Sequence, residues 1–538
     1  MSRSASGANA AQLVVLLAAI TGGTNALAAP SVPPPARPGV RLASVALPFI
    51  ENVGQYDPLQ STYLGGPEPT AIAALAVHPL TGAVYVAGRG LGTWNGQWAE
   101  CGVYSVLAPD LRSLQPDASF TFECGYNSME FWAVAINPVN GNIYMAGTTN
   151  FSSLSGSGAI TINPTTRPPN SLGLVGFIVE LSARDGYRAT FVGGPGSGGS
   201  LVQSLAIDPT NGDVLAAGHT SCGFPAVSGG AQTDCSAILG GVAFLTRLSP
   251  DLGTFVQSTY LAGQSLGQAT AVAVAADSGN VYVAGNLSSP GLPAATDGAQ
   301  TVFGGAQDGF VACLSGDLKT ILRWSYLGGT SSDSAVGLAL HPTTGDVYVV
   351  GVTNSSDFPG TQGGAQASMS GTDASFVASL DSGLSVLKQA TYFAGQTEVD
   401  AAAIAIDPGS GDVFIAGQTN SADLPGTQQG LQEQLTGTWD GFVARFSPDL
   451  RDLIQATYLG GSGGDELSAV AIDSVQGVLY VAGQSTSLDF PGVAGGYQPT
   501  FQAPPPYGNG VVARMALDLR PHQPRVWRVR RHLQRSGP

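Results

Sequence analysis

Histidines, aspartates spaced around glycines and a knot of large aromatic rings are the residues here whose types could do chemistry. His78, His219 and His341 could act as bases or metal ligands. His219 stands alone after a second strand with no carboxylate beside it in sequence, and a triad is not expected of it. His78 and His341 stand at a turn position that the same pattern elsewhere fills with Asn137, Asp208, Asp277, Asp407 and Asp473. A residue that caps a hairpin explains all of them. Asp208 with Asp213, and Asp407 with Asp412, have Asp-x-x-x-x-Asp spacing around a glycine. A calcium loop needs oxygens on alternate residues, a density absent here, so the spacing predicts turns and no metal site. Asp465 after Gly460-Gly461-Ser462-Gly463-Gly464 is a single glycine-rich phrase and reads as a connecting loop. Gly194, Gly196 and Gly199 satisfy G-x-G-x-x-G, but a strand (Leu201–Asp208) follows where a dinucleotide site needs a helix. No catalytic residue and no cofactor is assigned. What remains is aromatic: Trp94, Trp98, Tyr126, Phe131 and Trp132. Such rings suit sugar faces or a protein partner; local packing around nearby cysteines is the alternative and the weightier one.

These residues sit on a repeat. Seven Val/Ala-rich runs each close on a glycine, at Gly88, Gly147, Gly218, Gly285, Gly351, Gly417 and Gly483. The last three intervals are 66 residues, and the earlier ones 59, 71 and 67. One copy reads as four short strands: Ala402–Ile406, Val413–Gly417, Asp440–Arg445 and Ala456–Gly461. Four strands per unit, seven times, predicts an all-β, seven-bladed β-propeller. Phe131 and Trp132 replace the small Ala401 and Ala402 of the sixth copy.

The ends carry the closure. The seventh copy has three strands (Ser468–Asp473, Val478–Gln484, Gly510–Met515) and lacks the Tyr-Leu-Gly-Gly phrase, which appears instead ahead of the first copy at Tyr63–Gly66. The N-terminal segment is therefore expected to supply the outer strand of the last blade, removing an open edge. The resulting map is a signal peptide over 1–28 (Arg3, an apolar core from Leu13 to Ile20, Ala26-Leu27-Ala28), a Pro-rich linker over 29–57, the propeller over 58–516 and a basic tail, expected to be disordered, over 517–538. The leader's apolar run is too short to span a bilayer, and no later segment is long and apolar enough. Net charge is −16, with six arginines and no acid after residue 519, so the ring itself is acidic and excludes nucleic acid as its partner.

Five cysteines fit an exported chain. On the blade map Cys101 and Cys124 fall on neighbouring antiparallel strands of blade one, and Cys222 and Cys235 flank one loop of blade three. Two disulfides are expected, the second worth on the order of 3 kcal/mol in the chain-entropy account. Cys313 is left as an unpaired thiol in the column of Arg247, Arg445 and Arg514.

The phrases themselves resemble the bacterial seven-bladed beta-propeller (SBBP-type) repeat proteins. The matching residues are the core from Ala471 to Gly483, Asp-Gly-Phe-Val-Ala at Asp308–Ala312, and Ser-x-Asp-Phe-Pro loops at Ser355–Pro359 and Ser487–Pro491. The resemblance spans about residues 58–516 and weakens in the loops of blades one to three. It implies an exported, surface-associated, periplasmic or secreted protein and no shared catalytic residues. The expected role is a non-catalytic binding or scaffold module for a glycan or protein ligand. An enzyme acting on polysaccharide, or a structural envelope component, are the alternatives, since fold does not dictate function.

Overall fold

The computed structural model describes residues 59–94, 97–121, 128–151, 159–161, 173–182, 186–194, 199–235, 241–261, 266–290 and 297–521. Within them the strands form seven sheets, six of four antiparallel strands and one of five. This is a seven-bladed propeller. Blade six is representative: Val399–Ile406 innermost, then Val413–Thr419, Asp440–Phe446 and Leu453–Leu459 outward. Strands one and three run towards one face, here the turn face, where both hairpins turn. Strands two and four return to the loop face, where longer loops and blade-to-blade connections lie. Middle strands such as Asp308–Leu314 and Ala374–Leu380 are buried at every residue, because each blade is covered on both sides by its neighbours. Blade two carries the fifth strand, a short parallel addition of Ala159–Thr161 on Gly186–Val192.

The repeated glycine has a steric cause. Every inner strand carries a β-bulge at the same place, between Ile72 and Ala74 in blade one and between Ala401 and Ala403 in blade six. The bulge pushes a carbonyl against the second strand where its closing glycine passes. A Cβ on Gly88 would stand 2.0 Å from Ala71 O, on Gly147 1.8 Å from Glu130 O, and on Gly417 2.0 Å from Asp400 O. The other four copies repeat this contact, so no side chain fits at that position.

The loop motif has a matching cause. In blade five the Tyr392 hydroxyl donates to Ser355 O at 2.8 Å and accepts from Phe358 N at 3.0 Å, locking the Ser-x-Asp-Phe-Pro loop onto the fourth strand. Phe358 itself stacks on Phe376, ring centroids 4.3 Å apart. Asp357 accepts from Thr330 N at 2.9 Å, tying the loop to the connection from the preceding blade. Tyr458 repeats the arrangement with Ser421 O and Leu424 N.

Closure is three-plus-one. Leu59–Leu64 pairs antiparallel with Asn509–Ala516, Tyr63 opposite Val511, and is the outer strand of blade seven. Tyr63 makes the same two bonds to blade seven's loop, to Ser487 O at 2.7 Å and from Phe490 N at 3.1 Å.

The histidines cap turns. His78 Nδ1 accepts from the amides of Leu80 and Thr81 at 3.2 and 3.3 Å, and His341 Nδ1 from those of Thr343 and Thr344 at 3.3 Å. Asp407 does the same for Gly409 and Ser410. In blade four the corner belongs to Ala275, whose carbonyl accepts from Gly279 N; Asp277, expected at that corner, stands two residues later. Asp208 and Asp213 both accept from Arg247 Nη1 at 2.9 Å. Among the described residues no group of three or more His, Cys, Asp or Glu could hold a metal ion.

Cys222 and Cys235 form a disulfide with Cα atoms 5.5 Å apart. Cys101 is disulfide-bonded, and its expected partner Cys124 lies outside the described residues. Cys313 is free and buried, and burial pushes its thiol up despite Tyr282 and Arg323 nearby. Residues 1–57, where the leader and Pro-rich linker were read, also lie outside the described residues, as does the tail beyond Pro521. Among the described residues no helix is long and apolar enough to cross a membrane.

Candidate functional site

Where the inner strands enter the ring from the loop face, the bulge turns their side chains around the axis, a common use of bulges near sites. Ahead of each bulge, one residue pairs with the residue after the closing glycine: Ala71 with Arg89, Glu130 with Thr148, Asp400 with Gln418, Glu466 with Gln484. The bulged residue itself is Ala73 in blade one, Trp132 in blade two and Ser468 in blade seven. These positions from three consecutive blades enclose a cavity of about 80 Å³, lined by Arg89, Glu130, Phe131, Trp132, Glu466, Ser468 and Gln484 with Ala71–Ala73. That is room for about two or three waters, or for one charged head group.

Its electrostatics are mixed at the centre and acidic around it. Arg89 Nη1 lies 3.6 Å from Glu130 Oε1, the arginine half-exposed and the glutamate largely covered. Burial raises the Glu130 carboxyl above its ordinary range and the neighbouring Glu100 adds to this, while Arg89 opposes it. Glu100 projects from the blade-one hairpin, whose strands Val84–Trp94 and Gln97–Leu107 are eleven residues long against seven in blade six. Asp400 is raised by burial first and by Glu398 next, with Asp373 and Glu466 contributing and Gln418 opposing.

The predicted aromatic residues separate here. Trp132 is 40% exposed, lines the cavity, and donates from Nε1 to Thr148 Oγ1 at 3.4 Å. Phe131 also borders the cavity, but it is 1% exposed and packs on Phe177, centroids 5.4 Å apart, so its ring belongs to the core. Trp94 and Trp98 stand near the tip of the long hairpin, and Tyr126 lies outside the described residues. Arg89, Glu100, Glu130, Glu466 and Gln484 were not singled out from sequence. The available signal was columnar: Glu130, Asp400 and Glu466 occupy one position of the repeat, two residues before the bulge.

His219 shares this ring of positions in blade three, opposite Leu201. Burial depresses its pKa, and its Nδ1 is buried with no hydrogen-bond partner among the described residues. The unfolded chain, with histidine near 6.5, therefore binds the proton at a higher pH than the folded one. Stability contributed by the neutral ring is present above about pH 6.5 and is lost as pH falls towards the depressed folded value. His219→Asn should flatten the decline in unfolding free energy between pH 7 and 5. Urea titrations at pH 7, 6 and 5 check this, and identical declines in both proteins would refute it.

No family model and no curated protein matches the chain. Solved structures do. Sqt1 of Chaetomium thermophilum is 12% identical with a TM-score of 0.41, covering 86% of this chain and 98% of that one. The Pan2 WD40 domain of Neurospora crassa is 9% identical with a TM-score of 0.40, covering 85% and 92%. The quinohemoprotein alcohol dehydrogenase of Comamonas testosteroni is 11% identical with a TM-score of 0.43, covering 87% and 78%. None of these likenesses transfers a ligand or an activity to this chain.

Proposed function

We propose that this chain is an exported, SBBP-type binding or scaffold propeller, without catalysis, that takes a glycan or protein ligand at the axial mouth of its loop face. The observation that carries this reading is the exposed Trp132 beside the Arg89–Glu130 pair in a defined cavity. An aromatic face next to paired polar groups is what oriented ligand binding uses. Trp94 and Trp98, on the hairpin that flanks the cavity, are proposed to widen that surface. The leader-like N-terminus and the Cys222–Cys235 disulfide support an oxidising compartment outside the cytoplasm, in the periplasm or at the surface.

A thermal-shift screen against glycans, divalent ions and nucleotides tests it. A ligand at about a hundred times its Kd adds roughly 2.7 kcal/mol of stability. Trp132→Ala should weaken a true mouth ligand at least about tenfold, as loss of an aromatic anchor does, without lowering the unliganded melting temperature by more than a few degrees. A hit that ignores Trp132→Ala places binding elsewhere.

A polysaccharide-acting enzyme is the second reading, favoured by the side-chain contact of Glu100 with the raised Glu130 and by Glu466 across the same cavity. Paired carboxylates in unlike environments can divide acid and base roles. Turnover of a bound glycan that Glu130→Gln abolishes would select this reading; tight binding with no turnover selects the first.

A further inference from the structure

The basic residues of the ring are sorted by face, whereas carboxylates occur on both. Among the described residues Arg89 is the single Lys or Arg at the loop face; every other one lies in a turn, or within three residues of a strand end, at the turn face. Around the mouth the loop face instead carries Glu100, Glu130, Asp373, Glu398, Asp400 and Glu466, on blades made consecutive by the ring's closure. Asp400 feels Glu398, Asp373 and Glu466 together, so these acids act as one field.

The chain leaves the ring from the opposite face. Asn509–Ala516 ends at the turn face, Leu519 reverses the chain at φ 56°, and Arg520 Nε donates to Gln455 Oε1 at 2.7 Å. Beyond Pro521 come 17 residues containing Arg525, Arg528, Arg530, Arg531 and Arg535 and no acid.

We propose that this Arg-rich segment of one copy docks in the acidic axial mouth of a second copy, so that copies associate turn face to loop face. The proposal rests on the mouth being the ligand-binding end and narrows its protein ligand to another copy of this chain. Three features choose that occupant. The charges are complementary, and the field of a predominantly acidic mouth steers an oppositely charged segment to it. The cavity is the size of a head group and offers Glu130 and Glu466 with an exposed indole, which a planar guanidinium can pair with and stack on. The reach suffices: extended, 17 residues span about 55 Å, against about 23 Å for a seven-residue blade strand. Because the two surfaces differ, the contact is heterologous, and association grows with concentration into open stacks rather than stopping at a two-fold dimer.

The test uses the full chain. A labelled peptide of residues 522–538 is titrated onto a full-length variant whose Arg525, Arg528, Arg530, Arg531 and Arg535 are replaced by Gln. Binding should weaken at least about tenfold between 50 and 500 mM salt, and at least about tenfold on adding Glu130→Gln and Glu466→Gln. In sedimentation velocity the wild-type chain should associate with rising concentration at low salt, and the arginine variant should stay monomeric. Circular dichroism and melting of the mouth variant guard against misfolding; if it is misfolded, Glu466→Gln alone, at an exposed position, supplies the comparison. Absence of peptide binding at low salt, or binding indifferent to the mouth substitutions, overturns the proposal. So does a wild type that stays monomeric at every concentration while the peptide binds, since the segment would then dock on its own ring. A Trp132-dependent glycan hit with no peptide binding leaves the mouth as the site and removes only the second copy as its ligand.

Discussion

Gly417→Ala should cost at least about 4 kcal/mol, enough to remove most of the stability of a typical domain, whereas Gly66→Ala should change it by less than about 0.5 kcal/mol. Both substitutions add one methyl group to a glycine. At Gly417 the methyl would stand 2.0 Å from Asp400 O and 2.7 Å from Ala401 Cα, both backbone atoms of the bulged inner strand. Neither can rotate away as a side chain would. Relief requires moving the bulge, and the bulge sets the register in which Ala401 pairs with Gly417 and Ala403 with Ala416. It would also shift Asp400 at the axial mouth. At Gly66 a Cβ meets nothing within 4 Å. Side-by-side urea unfolding of the two variants with wild type measures the contrast. Equal costs, or a Gly417→Ala protein as stable as the parent, would show that the bulge is soft and that the glycine repeats for some other reason.

That glycine explains why the architecture was legible before the site was. One steric contact, made seven times, leaves one residue type at a fixed interval, and the eye finds it without any knowledge of the bulge. The Tyr-to-loop hydrogen bonds likewise leave a Tyr and a Ser-x-Asp-Phe-Pro or Ser-x-Asp-Leu-Pro phrase in blades five, six and seven. Even the ring closure was readable, since the missing Tyr63 phrase had to be somewhere. The site follows different logic. Arg89, Glu130, Trp132 and Glu466 come from three blades and meet only because ring closure sets blade seven beside blade one, and of the four only Glu130 and Glu466 share a repeat position. Trp132 drew notice as a break in a small-residue column, but its neighbour Phe131 broke the column equally and is core. Pattern marks both as exceptional; only the bulge decides which one faces the mouth. Asp277 shows the converse error, an acid assigned to a turn corner by similarity when the backbone puts Ala275 there.

The closure makes the second strong prediction, and it is comparative. Tyr63, Tyr392 and Tyr458 are each 0% exposed and each bonds the same two backbone groups of its blade's loop. In blades five and six the partners lie 34 and 37 residues away in sequence; for Tyr63 they lie 424 and 427 away. Tyr→Phe at any of the three leaves one buried amide and one buried carbonyl without the hydroxyl, at about 1–3 kcal/mol. Tyr63→Ala additionally empties a site between Phe490 and Phe501, rings 6.4 and 5.6 Å away, for a total of about 4–6 kcal/mol. The physics of the three sites is the same if the N-terminal strand is an integral part of blade seven. Tyr63→Phe should then match Tyr392→Phe and Tyr458→Phe within about 1 kcal/mol, and all three should unfold in a single transition. An N-terminal strand that is only loosely held predicts something else: Tyr63→Phe nearly silent beside costly Tyr392→Phe, or a separate early transition in which blade seven opens first. Equal costs across a 424-residue separation arise only when the first strand of the ring and its last blade fold as one unit.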